Sequence, residues 1–171
     1  MLRLAGVVLL MAGAAGLGLG AAGQLRRRVE SLRTLTGALE QAERELSFRL
    51  TPMPELMERL ARQAGEPARF LFAHCRDHLW ELGEKSFGEL WRGALEGGSD
   101  RLLGDREREV LSGLGDVLGR YDAAGQREAL QAAGAELERC LRRAEEDRDR
   151  LGRVYTALGL GSGAMLALML L

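Results

Sequence analysis

Two uncharged stretches bracket a charged middle: no charged residue occurs from Leu4 to Leu25, and none from Val154 to Leu171. An α-helix rises about 1.5 Å per residue and the hydrocarbon core of a bilayer is about 30 Å thick, so about 20 apolar residues cross it. Both stretches are near that length. The pattern predicts a transmembrane helix over 1–23, a helical domain over 24–153 and a second transmembrane helix over 154–171. The first stretch has a second reading as a cleaved secretory signal, with Arg3 at its start and Ala21-Ala22-Gly23 as small residues near a cleavage point. The cluster Arg26-Arg27-Arg28 that follows opposes translocation of the chain behind it, which favours an uncleaved anchor.

Between the two stretches every apolar pattern has a helical period. Leu25, Leu32, Leu39 and Leu46 recur every seven residues, with Val29, Leu35 and Ala42 between them, giving one stripe along a long helix. Thr51-Pro52-Met53-Pro54 stops that helix, and Thr51 is placed to cap the next, which carries Leu56, Met57, Leu60 and Ala61. A third helix over about 68–82 is rich in Phe70, Leu71, Phe72, Leu79 and Trp80, which makes it the expected core element, and Gly83 ends it. Ser86-Phe87-Gly88-Glu89 has the spacing of a capping box, followed by Phe87, Leu90, Trp91, Ala94 and Leu95 on one face. Gly97-Gly98-Ser99-Asp100 reads as a loop. Val110, Leu111, Leu114 and Leu118 mark a fifth helix, and Asp122 an N-cap for a long sixth through Leu130, Ala133, Leu137, Leu141 and Ala144. No stretch alternates at period two. The expected fold is all-α, a helical bundle whose first and last helices pack antiparallel and continue into the two membrane spans.

At 171 residues, a second large domain is not expected. The formal net charge of -1 gives no electrostatic reason to expect nucleic acid. The arginines are placed unevenly, however. Arg26, Arg27, Arg28 and Arg33 flank the first span on its inner side, and Arg142, Arg143, Arg148, Arg150 and Arg153 flank the second. Arginine excess marks the cytoplasmic side of a span, so the central domain is expected in the cytosol. Arg26, Arg27 and Arg28 are also the candidate contacts for lipid phosphates.

Each span carries glycines four apart, Gly16 with Gly20 and Gly159 with Gly163, a spacing that lets helix backbones approach closely. The charge-rich run from Glu136 to Arg150 reads as a solvated helix face, with a docking surface as its alternative. His74 and His78 stand at i and i+4 on one helix, which suits a metal, but the sequence holds 2 histidines in all. A membrane-tethered enzyme or metal sensor using this pair is the alternative function. Cys75 and Cys140 read as ordinary thiols, and no phosphate-binding loop or nucleophile elbow is present. No cofactor, metal or catalytic residue is expected.

The segments ELSFRLTPMPELMERLAR (45–62), EKSFGELWRGALE (84–96), VLSGLGDVLGRYDAAGQREAL (110–130) and the run from Arg153 into the last apolar stretch resemble the stage III sporulation protein AB family. The resemblance covers essentially the whole chain. Its most specific residues are Thr51, Pro52 and Pro54, with Gly115, Gly119, Asp122 and Gln126. It implies a non-enzymatic, multi-pass component of the mother-cell membrane around the forespore, part of a channel or secretion-like complex needed for forespore development after engulfment. It also implies a cytosolic domain similar to the F-protein platform of type II secretion machines. The implied partners are the other stage III sporulation proteins AA to AH, among them a cytosolic secretion-type ATPase, with self-association left open.

Overall fold

The computed structural model describes residues 2–49, 51–98, 103–119 and 123–170; the side chains of 2–12, 14, 15, 17, 123, 160, 162–164 and 166–170 stand outside that description. The described chain is helical throughout: α1 (Leu2–Arg44), a π-helical turn (Glu45–Arg49), α2 (Met53–Gln63), α3 (Ala68–His78), a 3-10 turn (Leu79–Glu81), α4 (Phe87–Gly98), α5 (Asp105–Leu118) and α6 (Ala123–Leu170). Among the described residues an isolated bridge, Leu82 to Lys85, takes the place of any strand. Among those residues, no helix is long and apolar enough to cross a membrane. Most of the first uncharged stretch and the end of the second have side chains outside that set.

The helices form two units, Glu30–Leu141 and a second made of Met1–Val29 with Arg142–Leu171. In the first, α3 packs against α2 and α4, and α4 against α5. The heptad stripe is inside: Leu32, Leu35, Leu39, Ala42 and Leu46 are buried, and α6 answers with Leu130, Ala133, Leu137 and Cys140. Gln131 of α6 donates to the Glu43 carboxylate of α1 at 2.6 Å. Arg106 of α5 bonds Glu136 of α6 at 3.2 Å. The short helices gather around Trp91, whose indole N–H donates to the Leu111 carbonyl at 2.7 Å and whose ring meets Phe72 edge-on at 5.7 Å. In the second unit, Gly18 faces Tyr155 and Gly159, while Ala22 and Arg26 face Arg148 to Thr156. Numbers rise along one helix as they fall along the other, so the two run antiparallel.

Several local expectations are revised. Thr51 does not cap α2: its buried hydroxyl donates to Glu45 Oε2 at 3.1 Å, and α2 starts behind Pro52 without a side-chain cap. α3 is core through Ala68, Leu71, Phe72 and Cys75, whereas Trp80 is 78% exposed and Phe70 38%. The buried positions follow i, i+3, i+4, i+7 from Ala68, a series that omits 70. Position 80, twelve residues on from Ala68, also falls off that face at helical period. Gly97 and Gly98 belong to α4, not to a loop. Phe70 lies over them, so close that a Cβ on Gly98 would stand 2.8 Å from the ring carbon Cγ.

The capping box is present as spaced: Ser86 N–H donates to Glu89 Oε2 at 2.7 Å, and Glu89 N–H donates to Ser86 Oγ at 3.3 Å. The Ser86 N–H, and then the Ser86 hydroxyl, which donates to the same Glu89 oxygen at 2.8 Å, hold the Glu89 carboxyl below the usual carboxylate range.

Candidate functional site

The two segments most specific to the family resemblance, at 51–54 and 115–126, both contribute residues to one hollow. Pro52, which lacks an N–H, precedes α2, and Pro54 occupies its first turn, a position proline tolerates. This start places Met53 on the wall of a hollow of about 330 Å³, with Leu82, Phe87, Leu118, Gly119 and Gln126 around it. Leu82 is 47% exposed. Asp116 also lines the hollow and pairs with Arg92 at 3.5 Å. The lining is largely apolar with one carboxylate, a surface suited to taking up an aliphatic side chain from a binding partner.

The motif glycines give this corner its shape. A Cβ on Gly115 would stand 2.6 Å from Trp91 Cγ, and one on Gly119 would stand 2.8 Å from Phe87 Cβ. Gly88 answers from α4, where a Cβ would come 3.3 Å from Asp116 Cα. Glycine at these positions is therefore what allows α4 and α5 to close on each other. Gln126 donates its side-chain amide to the Leu118 carbonyl at 2.9 Å, satisfying one of the carbonyls left over where α5 ends. Asp122 lies outside the described residues. Sequence reasoning missed Leu82, Ser86 and Phe87 as lining residues, because only the folded chain brings 82–88 beside 116–126.

His74 and His78 stack with ring centroids 4.1 Å apart. The His78 Nδ1 lies 2.8 Å from the His74 carbonyl, and a carbonyl only accepts, so Nδ1 carries the proton. Burial, and then the neighbouring His78, hold His74 below the ordinary imidazole range. The nearby Glu81 carboxylate is engaged by Lys85 at 2.6 Å. Among the described residues no group of three or more His, Cys, Asp or Glu side chains is arranged to hold a metal. Cys75 is buried, and burial pushes its thiol up to about 12, which keeps it protonated and poorly nucleophilic at neutral pH.

In the second unit the arginines divide. Arg26 enters a hollow of about 650 Å³ together with Arg148 and Arg153 of α6, whereas Arg27 and Arg28 are not in its lining. The span glycines also divide. Among the described residues nothing stands within 4 Å of a Cβ placed on Gly16 or Gly20. The close approach belongs to Gly18, where a Cβ would lie 3.1 Å from Gly159 Cα. The surroundings of Gly163 lie outside the described side chains.

An all-helical bundle with two long antiparallel helices is the class of protein defined by this fold. A sequence model of the stage III sporulation protein AB family matches residues 3–171, and the chain belongs to that family. Stage III sporulation protein AB of Bacillus subtilis (strain 168) is 29% identical over 172 residues, covering 100% of each chain. A solved structure of a stage III sporulation protein AB is similar with a TM-score of 0.63 at 29% identity, over 71% of this chain and 96% of that one.

Proposed function

We propose that this sporulation protein is a non-enzymatic platform in the mother-cell membrane around the forespore, part of a channel or secretion-like complex. Residues 24–153 face the cytosol, and 1–23 and 154–171 anchor them. The observation that carries the reading is the antiparallel meeting of Gly18 with Gly159, which lies inside the two uncharged stretches. Both ends of the chain then leave the arginine-rich region side by side, as a hairpin held at a bilayer requires.

The hollow lined by Met53, Leu82 and Gly119 is the docking site for a cytosolic secretion-type ATPase, one of the stage III sporulation proteins implied as partners. Its support is that both segments most specific to the family converge on it. A photo-crosslinking residue at position 82 in sporulating cells tests this, with position 97 as the control. The expected result is capture of the ATPase from position 82 and not from position 97. Equal capture from both, or none from position 82, contradicts the assignment.

A further inference from the structure

The hollow in the second unit is built from both long helices. Arg26 comes from α1, and Arg148, Asp149, Gly152, Arg153 and Thr156 come from α6. Asp149 answers one of the guanidinium groups: Arg148 donates Nε–H to its Oδ1 at 2.9 Å and approaches it with the terminal nitrogen at 2.8 Å. Among the described residues, Arg153 engages the Asp149 backbone carbonyl through its Nε–H at 2.7 Å, and its terminal nitrogens bond to none of them. Three arginines and one carboxylate thus line the space, an excess of positive charge in a cavity with room for a phosphate and its substituents. Gly152, Ala22 and Ala157 supply the small apolar wall.

The position of this cluster along the chain selects the ligand. Arg26 is the first charged residue after the stretch from Leu4 to Leu25, and Arg153 is the last before Val154 to Leu171. Structure brings these two boundary residues into one hollow, although 126 positions separate them in sequence by 153 − 26 − 1. Resting on the proposed membrane placement, the hollow stands at the level of the lipid headgroups, where guanidinium groups meet phosphodiesters and form paired N–H to oxygen bonds. Arg27, one residue away and exposed like Arg26 and Arg153, does not line the hollow.

We infer that Arg26, Arg148 and Arg153 form a site for the phosphodiester of an acidic phospholipid headgroup, and that the site ties α1 to α6 at the membrane surface. The test uses the full chain purified in uncharged detergent, with bound lipid read by native mass spectrometry. Phosphatidylglycerol and phosphatidylcholine are added in separate arms, and inorganic phosphate is the competitor. Wild-type protein should retain phosphatidylglycerol over phosphatidylcholine. The double variant R26Q/R153Q should lose that retention by about fivefold or more, as expected when charge-assisted bonds are removed. R27Q, which removes one positive charge from the same helix as Arg26, should retain lipid as wild type does, and millimolar phosphate should not displace it.

Equal retention of the two lipids overturns the inference, as does a loss in R27Q matching that of the double variant. Displacement by phosphate also overturns it, in favour of a free-anion site. Alkaline extraction of the source membranes separates the two claims. Release of the protein into the wash defeats the membrane placement itself, whereas protein that stays in the membrane but shows no lipid preference defeats only the headgroup site.

Discussion

Gly18 and Gly159 stand so close that a Cβ added to the first would lie 3.1 Å from the Cα of the second, and 2.6 Å from the Tyr155 carbonyl oxygen. Neither neighbouring atom is at the free end of a side chain, so a larger residue must push the helices apart. Gly18→Leu should therefore lower the melting temperature of the full chain in detergent by an overpacking cost of about 1–3 kcal/mol. Gly16→Leu, with nothing among the described residues within 4 Å of its Cβ position, should melt like wild type. Similar losses in both variants would show that glycine content, and not this contact, sets the stability.

Leu32 and Leu39 are 0% and 1% exposed. Leu32→Asp or Leu39→Asp buries a carboxylate in the apolar core, at a cost of several kcal/mol. Each should abolish the cooperative thermal transition seen by far-UV circular dichroism. An unchanged transition in either would place the heptad stripe in solvent.

The two tryptophans occupy opposite environments, Trp91 at 0% and Trp80 at 78% exposure. In Trp80→Phe the remaining emission should be blue-shifted and resistant to acrylamide; in Trp91→Phe it should be red-shifted and readily quenched. Reversed behaviour would overturn the outward placement of Trp80 and the burial of Trp91.

His74 titrates below its ordinary range because burial, and then His78, disfavour its charged form. The unfolded chain, with a histidine pKa of about 6.5, then binds more protons than the folded one in the window from about 6.5 down to the folded value. Stability should accordingly be full above pH 6.5 and fall as pH drops through that window. His74→Gln should flatten this part of the profile in urea unfolding series at stepped pH. A wild-type profile with no slope there would contradict the lowered titration of His74.

How much of this was legible in sequence depends on how far apart the interacting residues lie. Ser86 and Glu89 could be read as a capping box because both partners sit three residues apart and the helix geometry does the rest. The leucine stripe was legible for the same reason, since helical period alone puts Leu32, Leu35 and Leu39 on one face. The exposure of Trp80 and Phe70 follows from the same period, which, counted from Ala68, puts both off the buried face; only their aromatic character suggested the core. Gly97 and Gly98 were misread as a loop because the residue that covers them, Phe70, comes from another helix.

The span glycines show the same limit. Spacing proposed Gly16 with Gly20, while the facing helix selects Gly18. The hollow at Met53 combines both cases. Each motif was visible as a segment, but their meeting across Leu82 and Phe87 needed the tertiary fold.

The central claim is a platform held at the membrane by both of its ends with the bundle in the cytosol. Its most direct measurement is labelling of a cysteine at exposed Ala132 by a membrane-impermeant maleimide in intact cells, in a background where Cys75 and Cys140 are replaced by alanine. The account predicts no labelling until the membrane is permeabilised, with the protein remaining in the membrane fraction after alkaline washing. Labelling in intact cells, or release of the protein by the wash, would contradict it.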